Sequence, residues 1–331
     1  MTRAAATTSE PSHRILEQAA EWYARLRDGK ASSRDQAAWQ EWLHAAEEHQ
    51  TAWRYVQEIS RGFEPLRGMP DPRLAANKLC SANDRLHARR RVLASVALLA
   101  GGGLLGWMGW REALLPSSLM AWAADHHTGT GEQREITLAD GTRLWLNTAS
   151  AINVSFTAAE RRVALVTGEV FIDTAKDAAR PFLVETAHGQ MRALGTRFNV
   201  RLEGSETRLA VYEGAVEIRT ASSGKTSVIP AGKQADFTVD RIHDPKTADM
   251  AREAWTQGAL IADSITLREV VHELRRYRKG HLGIADEVAD LTVYGSFPIQ
   301  DTDRVLAMLA SALPIRIEQP YAWWTSIEKR Q

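Results

Sequence analysis

The spacing of apolar positions changes twice along this chain. Near the N-terminus, Ile15, Ala19, Trp22, Tyr23 and Leu26 recur at the intervals of one helical face. Asp28-Gly29 stops that helix, Ser33 with Gln36 predicts a capping box, and Trp39, Trp42 and Leu43 line one side of a second helix. His49, Ala52, Trp53 and Val56 give a third. After the Pro/Gly-bearing run from Pro65 to Pro72, a weaker stripe follows at Ala75, Leu79, Ala82 and Leu86. From residue 125 to residue 240 the period drops to two: Ile136 and Leu138 alternate, Asp140-Gly141 turns the chain, and Leu144 and Leu146 alternate again. The same alternation returns at Val163 and Leu165, Val170 and Ile172, Phe182 and Val184, Phe198 and Val200, Leu209 and Val211, and Val216 and Ile218. An almost wholly β domain is expected there, either a sandwich or a stack of solenoid-like layers.

Past a linker at Asp240–Asp249 the pattern mixes. Thr266 and Glu269 form a capping box, and Leu267, Val270, Val271 and Leu274 make an amphipathic face. Strand-like Leu282 to Ile284 and Leu291 to Val293 come next, Asp301 caps a second helix carrying Val305, Leu309 and Leu313, and Ile315 to Ile317 closes as a strand. Two short helices over a small sheet, a repeated βαβ arrangement, are predicted.

One stretch departs from both periods. Val92 to Trp110 carries no charge, and a helix of that length reaches ~28 Å, close to the ~30 Å hydrocarbon core of a bilayer. Arg85, Arg89, Arg90 and Arg91 crowd its N-terminal flank, so the N-terminus is expected in the cytoplasm; Trp107 and Trp110 suit the far interface. The organisation read from the sequence is therefore a helical bundle at 1–88, a transmembrane helix at 89–111, a β-rich domain at 112–240 and an α+β domain at 241–331.

At 331 residues the chain is long enough for two or three folded units, and its mean hydropathy of -0.32 excludes a many-span transporter. Forty-one basic and forty-one acidic residues balance to a formal charge of +0, which supplies no global field for nucleic acid. A single cysteine, Cys80, forms no intramolecular disulfide. Catalytic motifs fail on inspection. Ser223-Gly224-Lys225-Thr226 lacks the upstream glycine of a phosphate-binding loop, His272-Glu273 is not completed because Arg276 stands at the second ligand position, and His126-His127 has no third ligand beside it. No cofactor, no metal and no multiple-turnover chemistry are expected. Trp22, Trp39, Trp42 and Trp53 crowd a short helical region, either as core or as partly exposed anchors for a partner.

Four blocks in order, LADGTRLWLN at 138–147, GEVFIDTAKDAARPFLVET at 168–186, LGTRFNVR at 194–201 and VYEGAVEI at 211–218, resemble the FecR-type transmembrane anti-sigma factors. AAEWYARL, WQEWLHA and HQTAWRYV resemble that family's sigma-binding region, and TLREVVHELRRY with LTVYGSF resembles the short STN fold of secretins and TonB-linked proteins. The resemblance implies that the helical unit sequesters an extracytoplasmic-function sigma factor, with Trp22, Trp39, Trp42 and Trp53 in the contact. It also implies a single-pass inner-membrane protein whose periplasmic part senses the signalling domain of a TonB-dependent siderophore receptor, with site-specific proteases completing release and no direct nucleic-acid contact. In some members the Gly-Thr of the LGTRFNV block cleaves itself once by an N-to-O acyl shift, which here falls on Gly195-Thr196. A second reading keeps the membrane tether and makes the chain an envelope-binding protein without a sigma partner.

Overall fold

A computed structural model describes residues 11–27, 31–61, 124–193 and 195–330, which fall into two units. The first contains three helices, α1 (His13–Arg27), α2 (Ser33–Ala45) and α3 (Glu47–Arg61), together with residues 280–286 and 318–326. The α2 cap lies one residue earlier than the spacing predicts. Ser32 Oγ accepts from Asp35 N at 3.2 Å while the Asp35 carboxylate accepts from Ser32 N at 2.9 Å, because aspartate reaches back to the cap where Gln36 does not. Ala19, Ala52 and Val56 are wholly buried, small enough to let α1 and α3 approach, and Ile15, Leu16, Trp323 and Trp324 complete this cluster. The predicted fourth helical stripe at 75–86 lies outside the described residues.

The second unit is dominated by strands β1 (His126–His127), β2 (Arg134–Thr137), β3 (Arg143–Leu146), β4 (Ala151–Phe156), β5 (Arg161–Thr167), β6 (Glu169–Asp173), β7 (Phe182–Thr186), β8 (Gly189–Ala193), β9 (Arg197–Glu203), β10 (Glu206–Glu213), β11 (Ala215–Thr220), β12 (Thr226–Pro230), β13 (Lys233–Phe237) and β14 (Lys246–Thr247). One sheet has the order β1-β4-β5-β7-β8-β11-β12 and the other β14-β13-β10-β9-β6-β3-β2. Period-two alternation builds the core between them: Ile152, Val163, Phe182, Val184, Met191 and Ile218 from the first sheet share a cluster with Leu144, Ile172, Phe198, Val200, Leu209 and Phe237 from the second. Neighbouring strands are antiparallel except β5 and β7, which run parallel because the chain crosses to β6 in the other sheet between them. Gly168 makes that crossing. Its φ is +83°, and a Cβ there would lie 2.2 Å from Ser150 Oγ, which accepts the Glu169 N–H at 2.8 Å.

The second sheet is covered on its outer face as well. Trp145, Phe171, Ala210 and Tyr212 point away from the sandwich core and pack with Trp255, Leu260, Tyr277 and Ile299. The covering layer consists of a 3-10 helix, η1 (Met250–Gln257), helix α4 (Leu267–Leu274) and a short 3-10 turn, η2 (Arg275–Tyr277). Strand β15 (Ala259–Thr266) runs from η1 to α4 and pairs antiparallel with β17 (Thr292–Pro298), while β16 (His281–Ile284), β18 (Ile315–Tyr321) and β19 (Trp324–Lys329) form a separate sheet in the order β16-β19-β18. Helices α5 (Asp286–Ala289) and α6 (Thr302–Ala312) complete the chain.

The expected fold class needs correction in two respects. Among the described residues no helix is long and apolar enough to cross a membrane, and the transmembrane helix assigned to 89–111 lies outside the described residues. Nor do residues 241–331 make one STN-like βαβ domain. Their strands divide among three sheets, β14 joining the second seven-stranded sheet, β15 pairing antiparallel with β17, and β16, β19 and β18 standing apart, while Trp255, Leu260, Tyr277 and Ile299 bury their apolar surface on the second seven-stranded sheet. The capping box at Thr266 and Glu269 forms as spaced, being local; strand pairing is not local and cannot be read from it.

Candidate functional site

Three constellations hold the residues of interest. Trp22, Trp39, Trp42 and Trp53, the tryptophans of α1–α3, are all half-buried. Trp39 and Trp53 meet at 5.1 Å between ring centroids, and Trp53 continues to Tyr23 at 5.9 Å, so these three rings form one aromatic row. Trp39 Nε1 is buried without a hydrogen-bond partner among the described residues. Trp42 is fixed differently: its Nε1 donates to Gln18 Oε1 at 3.0 Å and its ring stacks on His49 at 4.5 Å. Trp22 lies under the Arg25 guanidinium at 5.0 Å from its ring centroid. The structure thus brings Trp39 and Trp53 together and gives Trp42 and Trp22 separate surroundings. Half-buried indoles leave apolar area for a second protein.

The second constellation is Gly195-Thr196, in the segment entering β9. Thr196 is 3% exposed; its N–H donates to Thr174 Oγ1 at 2.8 Å, and its carbonyl accepts from Thr174 N at 3.1 Å and Oγ1 at 3.0 Å. The Thr196 hydroxyl itself is buried and has no partner among the described residues, at a cost of about 1–3 kcal/mol. Gly195 has a φ of +82°. Gly214 supports it by lacking a side chain: a Cβ there would stand 2.5 Å from the Gly195 carbonyl oxygen and 2.7 Å from Thr196 Cγ2. The adjacent carboxylate, Glu213, is engaged by Arg197 at 2.6 Å.

The third constellation has no counterpart among the sequence motifs. Alternate residues of β9, Arg197, Asn199 and Arg201, face the covering layer while Phe198 and Val200 fill the core. Asn199 Nδ2 and Asn147 Nδ2 each donate to the Glu169 carboxylate at 2.8 Å, and Arg276 reaches the same carboxylate at 2.6 Å. Glu273 of α4 accepts from Arg201 at 2.7 Å, Arg252 at 3.0 Å and Arg276 at 3.1 Å. Arg197 bonds Glu253 of η1. Burial pushes the Glu273 carboxyl up, but Arg201, Arg276 and Arg252 outweigh it and hold it well below the usual carboxylate range. Burial likewise opposes the charge on Arg276, yet Glu169 and Glu273 keep it firmly protonated. From the His272-Glu273 pair that begins a zinc-protease pattern, Glu273 supplies the centre of this network, with Arg276 as its partner, while His272 is exposed beside Glu203. The available signal was charge in β6 and β9, strands whose apolar residues alternate but whose polar residues had no assigned surroundings.

Comparison with known proteins gives two family models that match: FecR protein over residues 124–217 and Domain of unknown function (DUF4880) over residues 17–59. No curated protein matches the chain. Two crystal structures of a putative anti-sigma factor from Parabacteroides distasonis ATCC 8503 are similar to it, at 25% identity and TM-scores of 0.51 and 0.50; each covers 62% of this chain, with 98% and 97% of the other chain aligned. Asn147, Glu169, Thr196, Asn199 and Arg201 all fall inside the FecR match, and the four tryptophans inside the DUF4880 match. The chain thus carries a FecR region, which holds Asn147, Glu169, Asn199 and Arg201 of the buried network, and a DUF4880 region, which holds the aromatic row, and it is similar in structure to a putative anti-sigma factor.

Proposed function

We propose that the chain holds an extracytoplasmic-function sigma factor through α1–α3 and releases it when the signalling domain of a TonB-dependent siderophore receptor engages the FecR region and the residues C-terminal to it, with site-specific proteases completing release. The observation that carries this reading is the half-buried row Tyr23, Trp53 and Trp39 within the N-terminal family match, a surface chemistry suited to helix-on-helix capture. Replacing Trp39 and Trp53 together by alanine in the full chain should lower copurification of the sigma factor at least about tenfold, the effect of losing one to two hot-spot residues. Undiminished capture rejects the site, and a chain without residues 1–88 that still carries out its function favours an envelope-binding protein. The proposed location is the inner membrane, with the N-terminus cytoplasmic and the C-terminus periplasmic, supported by the uncharged run 92–110 and its arginine flank.

A single self-cleavage at Gly195-Thr196 is the accompanying proposal, favoured by the buried, unpartnered Thr196 hydroxyl. Thr196 Oγ adds to the Gly195 carbonyl carbon, the C–N bond breaks as the nitrogen takes up a proton, and water opens the resulting ester to the Gly195 carboxylate and the Thr196 hydroxyl. On a blot, wild type should run as two fragments and Thr196→Ala as one full-length band. Identical bands in the two lanes would end the proposal.

A further inference from the structure

We infer that the layer formed by η1, α4 and η2 is a latch on β9, closed in the resting chain and lifted when the β15–β17 ribbon is engaged. This inference rests on the relay proposed above for its physiological trigger, but its physical basis is independent of the sigma factor.

The two faces of β9 are joined to the rest of the molecule by different forces. Phe198 and Val200 are wholly buried in the apolar core, where separation would expose hydrocarbon. On the opposite face, Arg197 and Arg201 are held by carboxylates, all but one of which come from other elements, and the layer contributes Glu253 and Glu273. When the layer lifts, these charges lose their partners but regain water, and the apolar contacts given up by Trp255, Leu260, Tyr277 and Ile299 form a smaller cluster than the core between the sheets, so opening costs less than parting that core. The interface is also loosely filled. A cavity of about 50 Å³ lies among Glu169, Arg201, Trp255, Glu273, Arg276 and Tyr277, and Trp255 Nε1 and Asn199 Oδ1 are buried with no hydrogen-bond partner among the described residues.

The connection to the ribbon is direct. Thr266 is both the last residue of β15 and the N-cap of α4, so displacement of the strand displaces the helix that carries Glu273. At the other end of β15, Gly258 closes η1 with a φ of +75°, and within the strand Ser264 has a φ of +61° beside the register shift between Asp263 and Ile265. These left-handed residues are points at which the backbone can redirect. The ribbon has two strands and exposes Ile261 and Tyr294, the latter 68% accessible. Lifting the layer would free the polar face of the strand that begins one residue after Thr196.

Hydrogen exchange on the full chain tests the latch. In Glu253→Gln/Glu273→Gln, amides of residues 197–203 should exchange at least about tenfold faster, within the range of ordinary coupling energies, while β7, β8 and β11 in the other sheet keep their wild-type rates. Unchanged exchange at 197–203, or equal acceleration in all strands, overturns the latch; the second result would mean that the network is simply part of the core. The exchanged pair Arg201→Glu/Glu273→Arg should recover slow exchange relative to either single variant, and failure to recover rejects the pairing as the holding contact. A sigma-dependent reporter read in the same cells should rise without inducer. Faster local exchange with a silent reporter upholds the latch and counts against the relay, so the two readings fail separately.

Discussion

At the scale of single residues, the buried charges are the most demanding feature of this chain. Glu273 is held among three arginines, and removing its charge leaves Arg201, Arg252 and Arg276 facing one another; Glu273→Gln should destabilise the closed state of the covering layer by about 3–5 kcal/mol, read as faster amide exchange at 267–277 while the denaturant midpoint of the two-sheet core stays at the wild-type value. Glu203 offers a cleaner pH signature. His272 beside it, with Arg201 and Arg208, outweighs burial and holds its carboxyl at about 2 instead of 4.5. A depressed folded value means that the ionised form favours the native state, fully so above 4.5, and that this contribution fades as pH falls towards about 2. Glu203→Gln should therefore melt below wild type at pH 7 and converge with it only as the pH falls through about 2, as followed by thermal unfolding across that range. Equal melting temperatures at pH 7 would show that His272, 3.6 Å away, and the arginines confer no net benefit.

Elements obey local rules where the signal is local. The Thr266 and Glu269 pair forms a complete capping box, Thr266 Oγ1 accepting from Glu269 N at 3.2 Å and the Glu269 carboxylate accepting from Thr266 N at 2.8 Å. Because α4 spans only Leu267–Leu274, its cap matters more than in a long helix, and Thr266→Ala should cost about 1 kcal/mol and speed exchange at 267–271. Measured protection equal to wild type would indicate that packing of Val270, Val271 and Leu274 alone holds the helix. Period two likewise places Phe198 and Val200, or Leu209 and Val211, on the core side of β9 and β10. The alternate residues were legible only as not core. Asn199 and Arg201 reach Glu169 and Glu273 across strand and layer, and no spacing rule connects positions that far apart in the chain.

For the whole molecule, residues 280–286 and 318–326 group with α1–α3, and Tyr23 and Trp323 stand 5.7 Å apart. In the proposed topology those residues lie on opposite sides of the inner membrane, so this aromatic contact separates when the chain is inserted. A chain with Cys80→Ser, Tyr23→Cys and Trp323→Cys should be joined by a short thiol crosslinker in detergent and not in membrane vesicles; crosslinking in intact vesicles would refute the proposed location. The amino-acid order by itself determined the helical N-terminal region, the alternating strands and the blocks that mark the family, because helix faces, hairpin turns and caps are set by residues a few positions apart. Tertiary structure alone decided that two seven-stranded sheets stack, that Trp255, Leu260, Tyr277 and Ile299 cover the outer face of one of them, and that Glu169, Arg201 and Glu273 share one buried network. Burial and charge pairing are settled by which distant surfaces meet, and that depends on the summed apolar area and the satisfaction of every buried polar group, not on any local period.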